Sequence, residues 1–455
     1  MSYEKSINKE VKIVTNIKKD FFKYVIPSVI GMLVSALYIV VDGIFVGRGV
    51  GAEALGAVNI TLPYISLLTA FTMMVTMGGC TLMSIQYGLN DFKKGNDIFI
   101  KSMSIVILIS ISISIGGILF SKQLSLLLGA SQNLLPLSRD YMSSYLIFGI
   151  FFCLSLSLSA FVRNDNNPKL AMISLIIGAL SNIILDYLFI FKFDMGIKGA
   201  AIASGLGQIF SLIVLSTHFI LKKGNLKLYL LKIKLDDCIN ILKTGTPELI
   251  VQLASPVNIL VYNIVISQRI GDLGVSSFGI IGYLITILIA LFIGVSQGVQ
   301  PLLSFYHGKE DSYTVNYLFK LAIKTNFILS LIIYLTLFIF GELIVGVFTT
   351  EPQLIDFTSS AIKIYFLSFV IASINIVYIN YLLATEQTRY ANIVSFNRGI
   401  TFNILTIMIL PFMLGNTGIW ISIVLCEVLG FILANRIVSR TLDISLAYVY
   451  NEKNQ

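Results

Sequence analysis

Residues 161–191 read FVRNDNNPKLAMISLIIGALSNIILDYLFIF, and from Leu170 to Phe191 the only charged residue is Asp186. A helix needs about 20 apolar residues to cross a bilayer. The stretch is therefore a membrane span with an acid inside it. A carboxylate in hydrocarbon costs about 2.5 kcal/mol or more, so an intramembrane acid is a functional candidate by default, usually for an ion or a proton. Residues 381–411, YLLATEQTRYANIVSFNRGITFNILTIMILP, repeat the pattern 220 positions later with Thr406 in place of Asp186.

The rest of the chain agrees with that reading. It is 56% hydrophobic and 12% charged, with a mean hydropathy of +0.87, against roughly one-quarter charged residues in ordinary soluble domains. Twelve apolar stretches are long enough to span: 21–47, 54–88, 98–120, 138–162, 168–191, 196–221, 239–267, 274–306, 316–341, 358–384, 390–412 and 416–438. The polar connection Lys222–Cys238 separates six from six. This predicts an all-α membrane protein with a cytoplasmic N-terminal segment (1–20), a six-helix bundle (21–221), a cytoplasmic linker (222–238), a second six-helix bundle (239–440) and a cytoplasmic tail (441–455). The polar first 20 residues and the long first apolar stretch do not read as a cleavable signal peptide.

A separation of 220 also pairs Pro27 with Pro247, Gly51 with Gly271, Gly78 with Gly298, Tyr145 with Tyr365 and Lys169 with Arg389. After a one-residue slip Gln208 meets Glu427. Six spans per half return each half to the same side, so the repeat is parallel. Transporters built on such repeats place substrate and ions near the midplane.

Cytoplasmic loops of membrane proteins are enriched in Lys and Arg. With the N-terminus placed inside, 24 of the 32 Lys and Arg fall on the cytoplasmic side, seven fall outside and Arg398 lies within a span. Both termini are expected in the cytoplasm, in the cell (inner) membrane. The net charge of +8 is then explained by cations facing the inner leaflet and calls for no nucleic acid. Cys80, Cys153, Cys238 and Cys426 have neither disulfide nor metal spacing. His218 and His307 lie at expected cytoplasmic helix ends, where a solvated or interfacial role is expected.

Asp42 stands in the first span, and its counterpart in the repeat is Tyr262. Asn182 and Asp186 are four apart, on one face of the fifth span, and the sixth offers Ser204. Two carboxylates, an amide oxygen and a hydroxyl suit a hard cation such as sodium, or a proton shared between acids. Burial and a neighbouring acid both disfavour the charged form of a carboxylate, whereas a bound cation favours it. The other reading, two hydrated acids near helix ends, stays open, because spacing alone does not bring Asp42 to Asp186.

Arg398 and Glu427 are opposite charges in the last two spans, and Glu248 follows Pro247. A structural ion pair is the plainer account of the first two; contact of Glu427 or Glu248 with an organic cation is the alternative. Met73, Met74 and Met77 could line an adaptable cavity or simply pack. Pro27 removes a backbone hydrogen bond and permits a kink. The segment GRGVGA at 47–52 follows a span and not a strand, so it is no dinucleotide fingerprint. There is no P-loop and no zinc-protease motif, which points away from an enzyme and from ATP as a drive.

The stretches VDGIFVGRGVGAEALGAVNITLP (41–63), 161–191 and MGIKGAAIASGLGQ (195–208) resemble signatures of the multidrug and toxic compound extrusion (MATE) family over about residues 25–440. The FNRGI segment (396–400) and the lack of acids in the tenth span are similar to the DinF-like and MepA-like branch. The resemblance implies a V-shaped pair of bundles, without a cofactor and expected as a monomer among membrane lipids. It implies export of small amphipathic or cationic compounds in exchange for sodium or protons. It also implies a coupling site at Asp42, Asn182, Asp186 and Ser204, where relatives often carry threonine in place of Ser204. The acids that a NorM-like branch carries in the seventh and tenth spans are missing. A lipid-linked oligosaccharide flippase of the wider superfamily is the alternative reading, although only Arg398 would serve its pyrophosphate. A channel or sensor would need a ring of charge or a filter loop that the sequence lacks.

Overall fold

The computed structural model describes residues 2–231 and 235–452, with side chains omitted for 2–15, 235, 237 and 441–452. Among the described residues there is no strand. The helices are α1 (Ser2–Gly49), α2 (Ala52–Gly88), α3 (Phe92–Leu119), the short α4 (Ser121–Leu127), α5 (Leu135–Ile147), α6 (Gly149–Asn164), α7 (Pro168–Asp186) and α8 (Gly196–Ile220). They continue as α9 (Leu235–Arg269), α10 (Asp272–Gly308), α11 (Ser312–Gly346), α12 (Pro352–Tyr365), α13 (Leu367–Ala384), α14 (Thr388–Phe396), α15 (Phe402–Leu414) and α16 (Asn416–Glu452). Single π-helical turns, Tyr187–Lys192 and Asn397–Thr401, follow α7 and α14.

Among the described residues eleven helices are long and apolar enough to cross a membrane, and a twelfth span is broken. The expected span 138–162 is α5 and α6, bent by 52° at their junction. The expected span 358–384 likewise divides at Phe366 into α12 and α13.

The sequence repeat is written into the helix ends. Asp91 Oδ1 accepts from Lys94 N at 2.9 Å, and 220 residues on, Asp311 Oδ1 accepts from Thr314 N at 3.0 Å. Each satisfies one of the orphan donors of a first helical turn. Left-handed residues also come in pairs: Asn90 and Glu310 (φ 61° and 59°), Asn166 and Glu386 (62° and 56°), and Gly51 and Gly271 (118° and 82°).

The chain forms two compact units, and their limits do not coincide with the halves of the repeat. One comprises Ile30–Leu253; the other comprises residues up to Val29 and from Ala254 onward. In the latter, Phe21, Tyr24 and Val25 of α1 share a core with Val295, Val299 and Leu303 of α10. In the former, Ile241 of α9 is buried with Leu68, Val75 and Leu82. Each half of the sequence thus lends the start of its first helix to the other half's unit.

Small residues make these contacts possible. A Cβ on Gly298 would stand 2.7 Å from Val25 Cα, and one on Gly78, its repeat counterpart, 2.2 Å from the Ile241 carbonyl oxygen. Between helices in lipid, close approach at small residues supplies the packing that apolar burial supplies in water. α1 runs unbroken through Pro27 and changes unit between Val29 and Ile30; α9 does so between Leu253 and Ala254.

Candidate functional site

In the Ile30–Leu253 unit, α7 and α8 approach so closely that a Cβ on Gly207 would stand 2.8 Å from the Gly178 carbonyl oxygen and 3.2 Å from Asn182 Cβ. One turn of α7 beyond Gly178, Asn182 Nδ2 donates to Ser204 Oγ of α8 at 3.2 Å. Asp186 is the last residue of α7 proper, and the π-turn starts at the next residue. Phe193 N reaches back to Leu188 O at 2.9 Å in that turn. Such π-bulges carry a backbone cost and concentrate at functional sites.

Asp186 is fully buried and Asn182 nearly so, while Asp42 of α1 is partly exposed with Oδ1 buried. The Asp42 and Asp186 carboxyls stand within hydrogen-bonding reach of one another whenever one carries a proton. The convergence that spacing left open is therefore present. Among the described residues, Asp42 Oδ1, Asn182 Oδ1 and both Asp186 oxygens are buried without a donor. Buried polar atoms are nearly always paired, and an unpaired set calls for a reason. Four acceptors and no donor fit a cation or a shared proton, and with only two acids they form no cluster of three or more metal-binding His, Cys, Asp or Glu.

Sequence reasoning missed the tyrosines. Tyr38, one turn before Asp42, and Tyr141 of α5 lie close enough to feel the charge of both acids, and Tyr145 that of Asp42. Tyr141 and Tyr145 stack at 6.0 Å. The signal available was the four-residue spacing of each pair, Tyr38 with Asp42 and Tyr141 with Tyr145.

The repeat-equivalent place in the other unit is closed. Tyr262 shares a hydrogen bond of 2.7 Å with Ser422 Oγ, and Thr406 Oγ1 donates to Phe402 O at 2.8 Å within its own helix. The same unit joins the charges of the last two spans. Arg398 Nε donates to Glu427 Oε2 at 2.7 Å and Nη2 to Oε1 at 2.9 Å. Asn375 Nδ2 adds a third bond to Oε2 at 2.7 Å.

Glu248 lies in the Ile30–Leu253 unit, where Oε1 accepts from Gln252 Nε2 at 3.0 Å. Met73, Met74 and Met77 are buried along α2, and a Cβ on Gly245 would meet the Met74 carbonyl oxygen. His218, expected at a solvated helix end, is instead buried and 2.8 Å from Asp165 Oδ2. It departs from expectation because Asp165, also buried, needs donors there.

The family model described as MatE matches residues 27–188 and 247–409, one match in each half of the repeat. The chain belongs to the MatE family. Among curated proteins it is 24% identical over 428 residues to the multidrug export protein MepA of Staphylococcus saprophyticus, covering 93% of this chain and 94% of that one. It is 25% identical over 424 residues to MepA of Staphylococcus aureus, covering 92% and 93%. Among solved structures, the outward-facing conformation of a multidrug resistance MATE family transporter of the MOP superfamily has the same fold. Its TM-score is 0.90 at 20% identity, with 95% of this chain and 97% of that chain covered. MatE membership and this fold are what the motifs at 41–63, 161–191 and 195–208 implied, and the MepA relatives agree with the branch.

Proposed function

We propose that the chain is a multidrug exporter that exchanges small amphipathic or cationic compounds for sodium or protons by alternating access, with Asp42, Asn182, Asp186 and Ser204 as the coupling site. The observation that carries this reading is the set of four buried, donor-less oxygens on Asp42, Asn182 and Asp186, set against the repeat-equivalent Tyr262 and Thr406, which are not acids and whose hydroxyls are hydrogen-bonded. The substrate class comes from the name of the MepA relatives.

The four residues offer two chemistries. Carboxylate, amide and hydroxyl oxygens together can replace water around sodium, a hard cation that prefers oxygen ligands. The paired carboxyls can instead take up one proton between them. Either event removes negative charge from the site and lets the surrounding helices repack, which weakens the hold on the drug. By linkage, drug weakens ion binding by the same factor. Where the exchange moves net charge, each 100 mV of membrane potential contributes about 2.3 kcal/mol per elementary charge.

For a cationic substrate the acid of choice is Glu248. Glu427 is already neutralised by Arg398 and held by Asn375, whereas Glu248 accepts only the Gln252 amide among the described residues. Met73, Met74 and Met77 would supply deformable apolar surface beside it. The protein works as a monomer in the cell membrane with both termini in the cytoplasm.

The test is efflux of an organic cation from proteoliposomes under separately imposed sodium and proton gradients. Efflux driven by one of them, and abolished when that gradient is collapsed, is expected. Efflux indifferent to both gradients would overturn the proposal and favour a flippase.

A further inference from the structure

The segment after α8 is not a loose tether. Asn225 N and Leu226 N donate to Asp165 Oδ1 and Oδ2, each at 3.0 Å, and His218 lies 2.8 Å from the same Oδ2. Asn167 Oδ1 accepts from Leu170 N at 3.3 Å, so its Nδ2, 3.2 Å from His218 Nδ1, is the donor there. That assigns the imidazole proton to Nε2, facing Asp165. Asn96 then grips Lys227 at both ends of its peptide, accepting from N at 2.7 Å and donating to O at 2.9 Å. Tyr229 donates to Asp97. Gly224 passes Asp165 where a Cβ would stand 1.9 Å from Oδ2.

Fixed in this way, the segment turns Leu226 inward and leaves Leu228 and Leu230 outward, Leu228 at 72% and Leu230 fully exposed. The neighbouring Lys222, Lys223 and Lys227 are exposed too, as are Lys93 and Lys94 at the start of α3. Of the acids at this end of the unit, Asp165 is saturated by its donors, Asp97 takes Tyr229, Asp91 caps α3, and Asp236 at the start of α9 is exposed. The segment starts directly at the end of a membrane span, where Ile220 and Leu221 are already exposed apolar residues. The sequence continues with Lys232 and Lys234.

We propose that Lys222–Leu230 is a lipid-docking strap. Leu228 and Leu230 enter the boundary between headgroups and acyl chains in the leaflet on the linker's side, and Lys222, Lys223 and Lys227 bind its anionic headgroups. Exposed leucines beside lysines are the composition of interfacial segments, whose binding combines apolar insertion with attraction to anionic lipid. Asp165 and Asn96 hold the backbone so that these side chains face the membrane without having to be ordered on contact.

Leu228→Trp and Leu230→Trp, each in the full chain, place a reporter on the strap; the signal of the native Trp420 is subtracted using the parent protein. In nanodiscs of phosphatidylglycerol with brominated acyl chains, the added tryptophans should emit at shorter wavelength than in detergent and be quenched. The quenching should fall at least twofold in phosphatidylcholine discs and by a similar factor when Lys222, Lys223 and Lys227 are all replaced by Gln. Emission typical of tryptophan in water, unquenched in phosphatidylglycerol, would overturn the proposal. Equal quenching in both lipids would overturn the anionic-headgroup contact.

Discussion

The Tyr262 hydroxyl and Ser422 Oγ lie 2.7 Å apart, closing with one hydrogen bond the position that Asp42 holds in the other half of the repeat. The two halves keep the same helix ends and the same left-handed turns, yet among the described residues only one keeps buried carboxylate oxygens that lack donors. Symmetry of scaffold with asymmetry of polar satisfaction separates what the fold needs from what a site needs.

The bond from Asn182 Nδ2 to Ser204 Oγ fixes the amide and leaves its oxygen without a donor, alongside the carboxylate oxygens. Ser204→Ala should leave Nδ2 unpaired and free to rotate. A net hydrogen bond is worth about 0.5–1.5 kcal/mol, so the apparent affinity for the coupling ion should fall about threefold to tenfold, with drug binding unchanged. Ser204→Thr keeps the hydroxyl and should stay near the parent. Ion titrations of efflux decide it; an Ala variant that titrates like the parent would remove Ser204 from the site.

Arg398 and Glu427 form a two-pronged, largely buried pair. Arg398→Ala should lower folded yield and thermal stability, since stripping one partner from a buried pair costs about 3–5 kcal/mol. The double change Arg398→Met with Glu427→Leu should recover much of that loss, because neither charge is left alone. Detergent-solubilised melting curves read both. Full stability of Arg398→Ala with loss of transport would instead assign the pair to substrate.

Cys238 is the one cysteine that is not buried; Cys80, Cys153 and Cys426 are. A membrane-impermeant maleimide should label it in inside-out vesicles and not in intact cells. Labelling of intact cells would reverse the orientation drawn from the Lys and Arg asymmetry.

Much of this was legible in the sequence. Apolar length and the 220-residue register give the spans and the repeat, because both rest on local chemistry. The exchange of the starts of α1 and α9 between units was not legible, since it depends on which helix Gly78 and Gly298 meet, and spacing carries no partner. The break at Phe148 has no proline to announce it. Asp42 and Asp186 could be named one by one from their cost in hydrocarbon, but their meeting depends on α1 packing against α7 and its π-turn, where a Cβ on Gly31 would stand 2.9 Å from Leu175 Cδ1 and one on Gly49 2.3 Å from Ile190 Cγ2. His218 was misread because its partner Asp165 is more than 50 residues away in sequence.

The asymmetry between the halves carries the sharpest prediction. Asp42→Asn and Asp186→Asn keep the size and much of the hydrogen bonding of each side chain, but supply neither a titratable proton nor a negative charge to a cation. Each should abolish gradient-driven efflux while leaving the protein inserted and able to bind drug, and the parent's coupling of drug affinity to the ion should vanish with it. Tyr262→Phe removes one hydrogen bond with Ser422 and Thr406→Val one within its own helix, each worth about 1 kcal/mol of stability. Both should transport within about threefold of the parent, since neither position holds an acid and a loss of that size falls on folding. Gradient-driven efflux in proteoliposomes and drug-binding titrations on the same preparations measure the four variants together. Normal coupling in both Asn variants would end the assignment of the site, and equal damage from Tyr262→Phe and Thr406→Val would show that it is not confined to one half.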